Sequence, residues 1–146
     1  KEVILEYAKR NKDFSFTCCI YACAPFVTEK KLAHAYELLL KEQFDTVFPV
    51  MRFGFPVQRS IKMDEVGKIN FFYPEYALAR SQDLIPSFHD AGQFYWLNTK
   101  KCMILQKILT ENTGSVEISE LEGQDIDNVE DWKLAELKYE LLQSIK

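Results

Sequence analysis

The stretch Ser15-Phe-Thr-Cys-Cys-Ile-Tyr21 is apolar on both alternating faces and predicts a buried strand. Such strands are typical of parallel sheets that are covered by helices on both sides. One helix is predicted before this strand, over Glu2–Lys12, and another after it, from the cap residue Thr28 to about Glu42. The predicted inner face of the second helix consists of Leu32, Ala35, Tyr36, Leu39 and Leu40.

The alternation of strands and helices continues to the end of the chain. Further strands are predicted at Thr46–Arg52, Arg59–Met63, Lys68–Phe72, Gln93–Leu97 and Ser115–Ile118. Further helices are predicted at Thr99–Leu109 and after Asn128, the last with a buried stripe of Leu134, Leu137, Leu141 and Ile145. This order predicts one α/β domain over residues 1–146, with three layers and a mostly parallel, Rossmann-like sheet. Ligands of such sheets bind beyond the carboxyl ends of the strands.

Composition limits the classes of function. The chain has 146 residues, a hydrophobic content of 47% and a formal net charge of −4. The negative charge argues against a nucleic-acid partner. The sequence contains no run of about 18 apolar residues, so no membrane span is predicted. The four cysteines lack paired zinc spacing. Because Cys18, Cys19 and Cys23 lie in an apolar stretch, we expect them to be buried thiols of a cytoplasmic protein.

The segment Gln124-Asp-Ile-Asp127 places two carboxylates two residues apart, just before the last predicted helix. If it is extended, both side chains lie on one face, about 6.6 Å apart along the strand. Paired carboxylates of this kind bind hard cations such as Mg²⁺. The alternative is that Asp125 is an ordinary surface residue and Asp127 a helix cap. Asn128 and Asp131 predict a reciprocal cap for the helix.

The segments His89-Asp-Ala-Gly-Gln-Phe-Tyr-Trp96 and Gln124-Asp-Ile-Asp127 resemble segments of the pseudaminic acid cytidylyltransferases, a branch of the acylneuraminate (sialic acid) cytidylyltransferases. The first of these is the most specific, while Gln124–Asp127 is shared more widely within the group. The other matching segments are Tyr21–Phe26, Phe55–Arg59, Arg80–Leu84 and Glu130–Trp132.

This resemblance implies an enzyme with the fold of the nucleotide-diphospho-sugar transferases. It would transfer CMP from CTP to the anomeric hydroxyl of pseudaminic acid, a nine-carbon acidic sugar, giving CMP-pseudaminate and pyrophosphate. Asp125 and Asp127 would be the catalytic and metal-binding residues and Mg²⁺ the cofactor. Family members are typically dimers, so a homodimer is expected.

The resemblance also implies a sugar site. Gln58 and Arg59 would hold the sugar, and Arg80 would offer a fork to its carboxylate. Hydroxyl and N-acyl groups would be read by Gln82, His89 and Gln93, and acyl methyls would pack on Phe94 and Tyr95. Tyr21 completes this set of expected substrate-binding residues.

Each of these residues also has a structural interpretation. The two arginines could form surface ion pairs, and His89 could be a hydrogen-bonded structural histidine. At least one of the neighbours Phe94 and Tyr95 should point into the core, because adjacent strand residues face opposite sides. Lys133, Glu136 and Lys138 are expected on a solvated face of the last helix.

The chain departs from the family at its beginning. A glycine-containing loop that cradles the CTP triphosphate is expected there, but no glycine precedes Gly54. We therefore interpret the chain as the C-terminal part of a catalytic domain that is incomplete at its N-terminus. An N-acylneuraminate cytidylyltransferase and a non-catalytic sugar-binding or assembly domain remain as alternatives.

Overall fold

The computed structural model describes residues 1–145. Its helices and strands follow in the order α1 (Glu2–Lys9), β1 (Phe16–Ile20), α2 (Glu29–Lys41), β2 (Thr46–Arg52), β3 (Ile61–Met63), β4 (Ile69–Phe71), β5 (Phe88–Asp90), β6 (Phe94–Asn98), α3 (Thr99–Leu105), β7 (Thr113–Ile118) and α4 (Val129–Ser144). Residues 53–87 lie between β2 and β5, carry the β3–β4 hairpin, and are called the arm below.

The main sheet is built around β2. On one side β2 pairs in parallel with β7 along its whole length. On the other side it pairs antiparallel with β6 through its first residues and with β5 through its last. Strand β1 pairs antiparallel with the far edge of β6 and therefore runs in the same direction as β2.

The chain has the predicted α/β class, but the prediction of a mostly parallel sheet is wrong. Within residues 1–145, three of the four pairings in this sheet are antiparallel. The prediction assumed a crossover between successive strands, as parallel pairing requires. Instead the arm leaves the carboxyl end of β2 and returns to the same end, so β5 and β6 run back along β2. Gly92, with a φ of 63°, lies where the chain turns from β5 into β6.

Helices cover both faces of the sheet, as the three-layer prediction required. Ala35 and Leu39 of α2 pack with Val47 and Phe94 in the buried core. The neighbouring residue Thr46 points to the opposite face and lies 3.6 Å from the Sγ of Cys102 in α3.

Local signals place most element boundaries correctly. The predicted limits of β2 are those observed, and Thr28 caps α2 by accepting a hydrogen bond from the Lys31 backbone. Two helices are shorter than predicted because the chain turns into the left-handed region, at Asn11 after α1 and at Gln106 after α3. Leu40, predicted on the inner face of α2, is 44% exposed.

The predicted buried stripe of α4 is wrong. Leu134, Leu137, Leu141 and Ile145 are all exposed, while Ala135 is buried and Lys138 and Leu142 are half-buried. The observed stripe has the same helical spacing as the predicted one, and periodicity alone does not distinguish them. The reciprocal cap between Asn128 and Asp131 is present, as predicted.

The cysteine prediction also needs correction. Cys19 and Cys23 are exposed, and only Cys18 of the predicted three is half-buried. Burial decreases along β1, so that Cys18 is half-buried while Cys19 and Ile20 at the end of the strand are exposed. Within residues 1–145, none of the helices combines the length and apolar character that crossing a membrane would require.

Candidate active site

A cleft opens at the carboxyl ends of β2 and β7, where the arm leaves the sheet. Its volume is about 370 Å³. It shares Arg52, Phe53, Gly54 and Glu120 with a neighbouring cavity of about 480 Å³ that reaches under the arm. The titratable residues that line the cleft are Arg52, His89, Asp90, Glu120, Asp125 and Lys138. Both signs of charge therefore face one space at the end of the sheet where α/β proteins bind ligands.

Asp125 lies in this cleft, whereas Asp127 does not line it. A Cβ atom placed on Gly92 would lie 3.7 Å from the carboxyl carbon of Asp125, so Asp125 packs against the turn between β5 and β6. Residues 123–126 belong to no strand and follow the 3₁₀ turn Glu120–Glu122. The two aspartates thus lie in a loop between that turn and α4, and not at the end of a strand.

The donor set at this loop is compatible with Mg²⁺. Both aspartates are exposed, and neither takes part in an ion pair within the described residues. Residues 1–145 hold no group of three or more His, Cys, Asp or Glu side chains arranged for a metal ion. Magnesium commonly takes only one or two protein carboxylates and completes its shell with water and substrate phosphates. Asp125 supplies one such carboxylate at the cleft, and Asp127 is a second candidate in the same loop but outside the cleft lining.

Asp90 links the cleft to a group of aromatic side chains. Its carboxylate accepts hydrogen bonds from the Tyr95 hydroxyl and from the Gly92 backbone. Tyr95 also packs on Tyr21, with ring centroids 5.4 Å apart. Burial raises the pKa of Tyr95, and the hydrogen bond to Asp90 raises it further. Tyr95 therefore stays protonated and acts as a hydrogen-bond donor.

His89 lies on the arm side of the same cleft. Its Nδ1 is 2.9 Å from the carbonyl oxygen of Asp90, and its ring packs on Phe53 with centroids 4.8 Å apart. These contacts fit the structural interpretation of His89, although its exposed ring still faces the cleft.

The arm carries the polar residues that the sequence assigned to the sugar. Gln58 donates to the carbonyl oxygen of Ile85 over 2.9 Å, and Arg59 reaches the Ser81 hydroxyl at 3.4 Å. Within the described residues, the Oε1 of Gln58 and the Nε of Arg59 are buried without a hydrogen-bond partner. Gln82 lines the larger cavity. Unpaired buried polar atoms are costly, and the Oε1 of the buried Gln93 is unpaired in the same way among residues 1–145, but neither Gln58 nor Arg59 lines the cleft or the neighbouring cavity.

Comparison with known proteins gives relatives along most of the chain. No family model matches it. A pseudaminic acid cytidylyltransferase of Campylobacter jejuni serotype O:2 is 29% identical over 132 residues, which is 90% of this chain and 57% of the relative. The chain is similar to pseudaminic acid cytidylyltransferases. It spans a little more than half the length of these Campylobacter relatives.

Two more distant matches extend this picture. A Helicobacter pylori protein named as pseudaminic acid cytidylyltransferase and UDP-2,4-diacetamido-2,4,6-trideoxy-beta-L-altropyranose hydrolase is 30% identical over 126 residues, 86% of this chain and 24% of the relative. N-acylneuraminate cytidylyltransferase A of Danio rerio is 28% identical over 142 residues, 92% of this chain and 31% of the relative. These relatives are therefore all named as cytidylyltransferases, and the Campylobacter and Helicobacter names include pseudaminic acid.

Three of the residues expected to bind the sugar are placed elsewhere or engaged by other groups. Phe94 is fully buried in the α2 core, so its side chain does not reach the cleft. Gln93 is 1% exposed and donates to the carbonyl oxygen of Glu122. Arg80 forms an exposed ion pair with Asp83 at 2.8 Å, as its structural interpretation anticipated. The strand pattern predicted at least one core residue in Phe94–Tyr95, and both are buried, Phe94 against α2 and Tyr95 against Asp90 and Tyr21.

Sequence reasoning missed Arg52, Asp90 and Lys138, although all three line the cleft. Arg52 is the last residue of β2, so its position at a strand end was the available signal. Asp90 lies inside the quoted His89–Trp96 motif. Lys138 was expected in solvent, but it is half-buried and donates to the Gly123 carbonyl oxygen over 2.8 Å.

Proposed function

We propose that this chain is the sugar- and metal-binding part of a cytidylyltransferase that transfers CMP from CTP to pseudaminic acid. The observation that carries the proposal is the cleft holding Asp125 at the carboxyl end of the sheet, in a chain similar to pseudaminic acid cytidylyltransferases. The anomeric hydroxyl would attack the α-phosphorus, pyrophosphate would leave, and the hydroxyl proton would be released. In such a transfer, the protein contributes mainly by positioning the reactants and neutralising their charge.

Asp125 and Asp127 are the residues that would hold Mg²⁺. The ion would neutralise phosphate charge and lower the pKa of the attacking hydroxyl. Arg52 and Lys138 are the basic residues of a cleft that also holds Asp90, Glu120 and Asp125, so binding of the phosphates would depend on the charge of the bound cation.

The acidic sugar would be held from the arm side. Arg59 is half-buried, stacks over Phe55 at 5.5 Å, and has an unpaired Nε within the described residues. We assign it to the sugar carboxylate, and the unpaired Oε1 of Gln58 to a sugar hydroxyl. Gln82 would contact the sugar from the neighbouring cavity. Arg80 could contact the sugar carboxylate only if its ion pair with Asp83 were broken.

We also propose that the chain acts as a homodimer, with the arm as the contact surface. The arm exposes large apolar side chains, including Met63 at 72%, Val66 at 88% and Leu78 at 97%. We take these exposed side chains as the interface, since exposed apolar patches commonly mark protein contacts. The exposed free thiols of Cys19 and Cys23 are consistent with a reducing compartment, and we propose the cytoplasm.

The test is pyrophosphate release from CTP and Mg²⁺, with pseudaminate and N-acetylneuraminate as competing acceptors. This chain would be assayed beside a version extended upstream by a phosphate-binding loop of the cytidylyltransferase type. We expect release from the extended version, with pseudaminate preferred. Preference for N-acetylneuraminate would support the alternative that the Danio rerio match favours. Sugar binding without release in either version would instead indicate a non-catalytic binding domain.

A direct binding measurement tests the arm residues. Arg59→Met should weaken pseudaminate binding about tenfold or more, because a charge-assisted hydrogen bond contributes roughly 1.5–3 kcal/mol. Arg10→Met is the matched control, since Arg10 pairs with Glu6 on the exposed face of α1. Equal affinities of both variants and the unaltered chain would exclude Arg59 from the sugar site.

A further inference from the structure

The backbone that leads into Asp125 is held by side chains from two distant elements. Lys138 of α4 donates to the carbonyl oxygen of Gly123 over 2.8 Å. Gln93, immediately before β6, donates to the carbonyl oxygen of Glu122, the residue before Gly123. The Glu122 side chain pairs in turn with Lys31 of α2 at 3.1 Å. The residues before Asp125 are therefore fixed by tertiary contacts, although they belong to a loop.

Gly123 adds a steric restriction at the same point. It is buried, and a Cβ atom added to it would lie 2.4 Å from the Sδ of Met51 in β2. The neighbouring atoms are the end of the flexible Met51 side chain, which would have to shift if a larger residue replaced Gly123.

The other end of the aspartate pair is fixed by the cap of α4. The Asp131 carboxylate accepts hydrogen bonds from the backbone of Asp127 at 3.0 Å and of Asn128 at 3.2 Å. Only residues 124–126 lie between this cap and the held Gly123. A short connection between two fixed points restricts the directions in which Asp125 can face.

We propose that Lys138 is a positioning residue that holds the Asp125 loop through its hydrogen bond to Gly123. Lys138 lines the same cleft as Asp125 and is half-buried, whereas Lys133, one turn earlier on α4, is exposed. The inference rests on the metal role proposed above for Asp125. In this proposal Lys138 orients the metal-binding loop, as residues that hydrogen-bond to metal ligands orient those ligands in other proteins.

The direction of the change in metal affinity distinguishes a positioning role of Lys138 from a purely electrostatic one. A lysine near a cation site repels the cation, so removing the charge alone would strengthen metal binding. Removing a hydrogen bond that orients the ligand loop would weaken it. An uninvolved surface lysine would change nothing.

The experiment titrates the full chain with Mn²⁺, an oxygen-preferring probe followed by water-proton relaxation. We expect Lys138→Met to lower the Mn²⁺ affinity severalfold, less than the roughly 10–100-fold typical of a residue bonded directly to a metal ligand, because Lys138 acts through the backbone of Gly123. Lys138→Arg keeps a donor and should retain most of the affinity. Lys133→Met, on the exposed part of the same helix, should bind like the unaltered chain. An unchanged or raised affinity in Lys138→Met would overturn the proposal.

Amide hydrogen exchange provides a second readout that separates this proposal from the proposed function. Lys138→Met should speed exchange at residues 124–127 while leaving β2 protected. If the unaltered chain bound no Mn²⁺, the metal role of Asp125 would be lost, and exchange would still decide whether Lys138 holds the loop. Unaltered or uniformly faster exchange would reject the positioning role. If Lys138→Met does not fold, Lys138→Gln replaces it in both measurements, because glutamine is polar but too short to make the same hydrogen bond.

Discussion

The strands around β2 and the arm are both rich in aromatic and aliphatic residues, but they bury them very differently. Val47 and Phe94 are fully buried between β2, β6 and α2. In the arm, Val66, Leu78 and Ile85 are between 79% and 97% exposed. Apolar composition therefore indicates burial only where another element of the same chain covers the residue. The arm has the composition of an interior without a partner in this chain, which is why we propose it as the dimer contact.

The largest expected effect contrasts one residue from each region. Phe94→Ala should lower the free energy of unfolding by about 3–5 kcal/mol, because it leaves a cavity in the α2 core. Ile69→Ala, in the β3–β4 hairpin, removes a side chain that is 58% exposed and should change it by less than about 0.5 kcal/mol. Denaturant titration at low protein concentration measures both values.

The same two variants can also be compared at higher protein concentration, where a dimer would form. If the arm forms a dimer contact, Ile69→Ala should weaken self-association measured by sedimentation. Phe94→Ala should instead lower the free energy of unfolding. Equal losses of stability in both variants at low concentration would contradict the division between a buried sheet and an exposed arm.

An intermediate effect is expected at two glycines with positive φ. Gly92 has a φ of 63° and faces Asp125, while Gly67 has a φ of 85° and open space around it. Alanine at either position should cost about 1–2 kcal/mol of stability, because L-residues are disfavoured in this region. Only Gly92→Ala should also alter Mn²⁺ affinity, since the added methyl group would contact the Asp125 carboxylate. Altered metal binding in Gly67→Ala would place the arm, unexpectedly, in contact with the metal loop.

The smallest effect concerns two ion pairs and their dependence on pH. Burial alone would raise the pKa of Glu122, but hydrogen bonds from Lys31 and Ser119 outweigh it and leave the pKa below the usual 4.5. The stability that Glu122 contributes is therefore present above pH 4.5 and is lost as the pH falls through its lowered pKa. Glu122→Gln should lower stability at neutral pH and flatten this acid-side loss.

Asp83→Asn is the matched control in the arm. It breaks the pair with Arg80, in which the two side chains are 73% and 51% exposed, and such surface pairs contribute little. Thermal melts between pH 3 and 7 compare the two variants. A larger pH effect in Asp83→Asn than in Glu122→Gln would show that the exposed pair, and not the partly buried one, contributes more to stability.

The sequence predicts those parts of the candidate site whose signals lie within a few neighbouring residues. The Asp125 loop and the polar residues of the arm were recognised because they carry short motifs. Arg52 and Lys138 carry no such motif and enter the cleft only because distant parts of the chain meet there. Phe94 was assigned to the sugar from the family resemblance, but contacts with Ala35 and Leu39 of α2 place it in the core.

Short-range physical chemistry is what the sequence by itself determined. The limits of β2, the Thr28 cap of α2 and the Asn128–Asp131 cap of α4 follow from hydrogen bonds and side-chain patterns within a few residues. Tertiary structure alone decided the direction of β6, the buried stripe of α4 and the inward position of Lys138. Each of these depends on contacts between residues far apart in the chain. Such contacts select one of several arrangements that satisfy the local pattern equally well.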